Sequence, residues 1–83
     1  MYYESMRLFI LRTNIKTSNS VKKIESLLNS HPFIIKWSID IEDIDNVLRV
    51  EASSGLSETG LKKIIKREGF YCQDLPETII LSV

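Results

Sequence analysis

Met6 to Leu28 reads MRLFILRTNIKTSNSVKKIESLL, a stretch in which the spacing of apolar residues changes once. Over Met6 to Thr13 the residues are strand formers, and both alternating sets are apolar: Phe9 and Leu11 on one side, Leu8 and Ile10 on the other. A segment apolar on both faces predicts a central strand. After the polar run Asn14 to Asn19, Val21, Ile24, Leu27 and Leu28 recur at helical spacing. Ser18 or Ser20 is available as N-cap, and Asn29-Ser30-His31-Pro32 is a stop signal, so the first unit is a strand leading through a polar loop into a helix.

Working outward, Trp37, Ile39 and Ile41 alternate with Ser38 and Asp40, and Leu48, Val50 and Ala52 alternate with Arg49 and Glu51. The polar connection Glu42 to Asn46 between them predicts a hairpin. Ser57 is placed to cap a second helix, with Leu56 and Leu61 at the two positions of a hydrophobic staple, Ile64 and Ile65 continuing the stripe and Gly69 ending it. Phe70 to Leu75 reads as a short last strand closed by Pro76, followed by the apolar tail TIILSV from Thr78 to Val83. The order strand, helix, strand, strand, helix, strand predicts an α+β, ferredoxin-like βαββαβ sandwich. Right-handed crossovers put both helices on one face of a four-stranded antiparallel sheet. Leu8 and Ile10 then leave an apolar outer face. The tail residues Ile79, Ile80, Leu81 and Val83 are expected to fold back as cover or to pair with another molecule, giving a monomer or a homodimer through the sheet face or the tail.

With 83 residues and 9.6 kDa the chain has room for one domain, its core over residues 6–75 and its tail over 76–83. So small a core leaves little stability to spend on an enclosed catalytic cleft. Lys plus Arg equals Asp plus Glu at 11 each, so no basic excess argues for nucleic acid. The third strand VLRVEA also lacks the aromatics on which bases stack. Cys72 is the only cysteine, which rules out an internal disulfide and a cage of several thiolates and fits a reducing compartment. The longest apolar stretch falls far short of the roughly 20 residues that span a bilayer, and no signal-peptide pattern is visible, so a cytoplasmic protein without membrane insertion is expected.

The loop and helix RTNIKTSNSVKKIESLL, Arg12 to Leu28, resembles the heavy-metal-associated domain family of small copper chaperones and metal-ATPase modules. In that family the stretch carries Met or Ile, one residue, then Cys-x-x-Cys followed by an apolar residue and an Ile-Glu helical stripe. Ile15, Val21, Ile24, Glu25 and Leu28 fall into step with it. KWSIDIEDIDNVLRVE is similar to its second and third strands, and LSETGLKKIIKREGF to its second helix, so the resemblance covers roughly residues 7 to 75. It implies the same ferredoxin-like fold. Thr17 and Ser20 occupy the two cysteine positions, and Phe33 stands in the turn where the family often has Gly. A soft Cu(I) ion is selected by thiolates, whereas Ser and Thr hydroxyls stay protonated and are hard, weak donors. The expected function is therefore a protein-interaction or regulatory module that has lost thiolate metal binding.

The loop Ile15, Lys16, Thr17, Ser18, Asn19 and Ser20 has two readings: hydroxyls that cap the helix, or a site for an anion or harder ion at the helix N-terminus. Cys72 reads as a buried inert thiol or as a metal ligand. His31 reads as a helix-end histidine or as a metal ligand, and in the alternative function Cys72 or His31 holds copper or zinc across a dimer. No nucleophile triad, carboxylate pair or Gly-rich phosphate loop can be assigned, so neither an enzyme nor a cofactor is expected. Lys22 and Lys23 lie on the first helix and Lys62, Lys63, Lys66 and Arg67 on the second, two helices expected on one face of the sheet, while Asp40, Glu42, Asp43 and Asp45 gather at the hairpin. These basic residues form either a solvated exterior or a patch that steers an acidic protein partner, as the resemblance implies for chaperones docking on ATPase domains.

Overall fold

A computed structural model describes residues 6–74 and 79–81. The apolar run becomes strand β1 (Met6–Thr13), and α1 (Ser18–Asn29), β2 (Ile34–Asp40), β3 (Val47–Ser53), α2 (Glu58–Arg67) and β4 (Cys72–Asp74) follow in the expected order. The strands lie β2-β3-β1-β4, all pairs antiparallel, with β1 at the centre. Phe9 opposes Val50, Leu11 opposes Leu48, and all four are buried. Ile24 and Leu28 from α1 and Leu61 and Ile65 from α2 complete the same cluster, so both helices pack on that face. The outer face carries Leu8 and Ile10, which are half-buried, opposite Glu51 and Arg49.

Four sequence expectations change. Thr17, not Ser18 or Ser20, is the N-cap of α1, with an extended backbone (φ −119°, ψ 160°); all three residues have the chemistry, and the turn geometry selects among them. Strand β2 starts three residues before Trp37 and stops at Asp40, leaving Ile41 exposed in the turn. A register shift lies between Ile34 and Lys36, where β2 has an extra residue against β3. Strand β4 (Cys72–Asp74) starts two residues later than Phe70.

The fourth change concerns the tail. Ile79–Leu81 forms a fifth strand, β5, antiparallel to β1, with Met6 opposite Leu81 and Leu8 opposite Ile79. Of the two expectations, cover of the outer face or pairing with another molecule, the structure shows neither for Ile79–Leu81: these residues pair within the chain and extend an edge in the plane of the sheet, on the side of β1 that β4 occupies further along. The expectations for Leu75, Pro76 and Val83 lie outside the described residues.

Both helices are closed by local chemistry. Ser57 Oγ accepts the Gly60 N–H at 3.0 Å, and Leu56 and Leu61 are both buried, as a staple requires. At the far end Gly69 takes φ 90°, its N–H donates to Lys66 C=O at 3.0 Å, and Phe70 N–H donates to Ile65 C=O at 3.3 Å. That is the Schellman pattern.

Candidate functional site

The loop between β1 and α1 is anchored at its base by a residue that the periodicity alone did not single out. Thr13 ends β1 with its side chain buried; its Oγ1 donates to Asn46 C=O at 2.6 Å and accepts the Ile15 N–H at 3.1 Å. Its own N–H donates to Asp45 C=O at 3.1 Å. Asn46, at φ 45°, turns the β2–β3 connection into β3 and donates Nδ2 to Ile41 C=O at 3.1 Å. The Arg12 Nε to Asp45 Oδ1 ion pair at 3.1 Å and the Tyr71 N–H to Asn14 Oδ1 bond at 2.8 Å add links to the hairpin turn and to the start of β4. The signal was present: a short polar residue closing an apolar strand, and an Asn before another, are types that bond locally or tolerate positive φ.

Above this base Ile15 is fully buried in the core, while Lys16, Thr17, Ser18 and Asn19 are exposed and Ser20 is half-buried. Thr17 Oγ1 accepts the Ser20 N–H at 3.1 Å and donates to Ser20 Oγ at 3.0 Å. The two positions where the resemblance implies cysteines are therefore side by side at the start of α1. Their atoms are neutral hydroxyl oxygens committed to each other and to a helix N–H. Such a pair does not fit a soft ion, which needs ionised sulfur.

Cys72 is 4% exposed, its Sγ 4.0 Å from Lys62 C=O. Burial pushes the thiol up from its usual range, against the pull of Lys66 and Lys62, so the sulfur is held as a protonated thiol. His31 Nδ1 accepts the Phe33 N–H at 3.1 Å, and its ring lies 5.8 Å from that of Phe33. Cys72 pairs with Thr13 at one end of β1, whereas His31 precedes Ile34, which pairs with Ala52 near the other. The two are at opposite ends of the sheet within one chain. Among the described residues no three His, Cys, Asp or Glu side chains come together in a metal-holding group.

The basic residues separate into two kinds. Lys22, Lys23, Lys63, Lys66 and Arg67 are exposed on the helices. Lys62 is not part of a free patch: its Nζ lies 2.8 Å from Asp74 Oδ2 and 3.7 Å from Glu58 Oε2, clamping α2 to β4. The hydrogen bond from Lys62 holds Asp74 below the usual carboxylate range and raises Lys62 itself, while burial and the neighbouring Asp74 raise Glu58.

On the acidic side Asp40 Oδ1 accepts the N–H groups of Glu42 and Asp43 at 3.1 and 3.2 Å, and Asp43 Oδ1 accepts that of Asp45 at 2.8 Å. These carboxylates build the turn. Leu8, Lys36, Trp37, Ser38, Arg49 and Glu51 line a shallow depression of about 330 Å³. Among the described residues no helix is long and apolar enough to cross a membrane. Comparison with protein-family models, with curated proteins and with solved structures finds no match to this chain.

Proposed function

We propose that this chain is a ferredoxin-like domain of the heavy-metal-associated kind that has exchanged thiolate metal binding for a protein-interaction or regulatory role in a reducing, cytoplasmic setting. The observation that carries the reading is the 3.0 Å contact between Thr17 Oγ1 and Ser20 Oγ at the helix start. Two side chains at the spacing that would clasp an ion meet there, and both end in oxygen. The strand order and the placement of both helices against one sheet face support the fold assignment.

The partner surface is the exposed basic exterior of the helices, Lys22 and Lys23 on α1 with Lys63, Lys66 and Arg67 on α2. The matching partner is an acidic protein. Lys62 belongs to the fold instead, because Asp74 and Glu58 neutralise it.

The test is an anaerobic Cu(I) titration under reducing conditions with native mass determination. The wild-type chain is expected to take up no stoichiometric copper, and the double variant Thr17→Cys with Ser20→Cys to take up one ion per chain. One Cu(I) held with thiol-like affinity by the wild type overturns the reading.

A further inference from the structure

Strand β2 ends the sheet, and among the described residues only β3 pairs with it. Edge strands template association unless something blunts them, and the side chains along the edge decide which partner fits. Here they read Lys36, Trp37, Ser38, Ile39 and Asp40, a segment bounded by the register shift before Lys36 and by the turn after Asp40.

The backbone phase of this edge follows from β3. Ser53 N–H donates to Phe33 C=O at 2.9 Å, so Ser53, Glu51 and Arg49 turn their backbone groups toward β2. Ser38 is opposite Arg49, hence bonds inward, and the N–H and C=O groups of Trp37 and Ile39 face the free edge.

We infer that β2 is a self-pairing edge, taking β2 of a second copy of this chain antiparallel with Ser38 opposite Ser38 on the twofold axis. In that register Trp37 of each copy exchanges both backbone hydrogen bonds with Ile39 of the other, the two residues whose backbone groups face outward. Lys36 meets Asp40 of the second copy twice, on the outer face, in the closely spaced non-hydrogen-bonded pairs where side chains interact best. Lys36 and Asp40 are both exposed, and Trp37 and Ile39 are half-buried at the rim of the core, so the same register joins apolar residues on the helix side. A slide must be by two residues to keep the outward backbone groups paired, and in either direction it sets Lys36 against Ser38 or against Glu42, which lies beyond the strand. Parallel pairing in register sets Lys36 against Lys36. Charge complementarity therefore selects one register, and its twofold symmetry closes the assembly at two copies.

The experiment is sedimentation velocity from low to high micromolar concentration at low salt, with circular dichroism confirming that each variant is folded. The wild type is expected to show a concentration-dependent dimer. Lys36→Asp alone and Asp40→Lys alone each place like charges opposite, weakening association at least tenfold, while an equimolar mixture of the two regains it, because every opposed pair is then Asp against Lys. Independently, Ser38→Cys places two thiols on strands whose Cα atoms are about 4.5 Å apart across a narrow antiparallel pair, a span that a disulfide bridges. It is expected to crosslink under a mild oxidant far faster than Gln73→Cys on β4. A wild type that stays monomeric throughout, a dimer indifferent to both charge reversals, or equal crosslinking of the two cysteine variants overturns the inference.

Discussion

Thr17 and Ser20 have the same oxygen chemistry as Ser18, and only their positions relative to the first free N–H groups give Thr17 the cap and Ser20 the bond to it. The loop's character follows from this: hydroxyls satisfying a helix end rather than thiolates awaiting an ion. The clamp at Lys62 joins three groups that are displaced from their ordinary titration ranges. Asp74 lies below its ordinary value of 3.8, chiefly because Lys62 donates to it. A carboxylate with a lowered folded-state pKa stabilises the fold above its unfolded pKa, and that contribution is lost as the pH falls through the folded value. Glu58, raised from 4.5 by burial first and Asp74 second, works in the opposite sense, its contribution lost as the pH rises through its folded value. Because the Asp74 side chain is 40% exposed, Asp74→Asn is expected to cost under about 1 kcal/mol at neutral pH. Urea midpoints of the two proteins should converge in acid, below the folded pKa of Asp74. A difference that persists there contradicts the assignment.

At the scale of elements, α2 shows most plainly how local sequence dictates structure. Ser57, the Leu56–Leu61 staple and Gly69 all take the positions that their types predict. Gly69→Ala forces a Cβ onto a residue at φ 90° and is expected to cost about 1–2 kcal/mol, read as a lowered urea midpoint with an unchanged slope. Open space around that Cβ assigns the cost to the backbone, not to a clash. Strand β2 was less legible. Ile34 and Ile35 precede the visible alternation, and the register shift that admits them depends on β3, which lies elsewhere in the sequence. Strand β5 is of the same kind: its apolar residues announced that they needed a partner, and not which edge they would join.

At the scale of the molecule, among the described residues, both helices and the central strands feed one buried cluster. Ile24 is fully buried within it, so Ile24→Ala is expected to cost about 2–5 kcal/mol, a large share of what a domain this small can hold. Loss of the cooperative thermal transition, or a large fall in its midpoint, is the readout. A shift of only a few degrees contradicts the view of one indivisible core. The sequence by itself determined the order of elements from β1 to β4, the buried stripe of each helix, the central place of β1 and the absence of paired thiolates, because these depend on spacing and side-chain chemistry along the chain. Only the tertiary structure decided the direction in which the tail pairs, the tie of Thr13 to Asn46, the removal of Lys62 from the basic surface by Asp74, and the phase of the β2 edge. Each of these joins residues far apart in sequence, and which of several competent partners meet is fixed by sheet register and helix packing, quantities that no local pattern encodes.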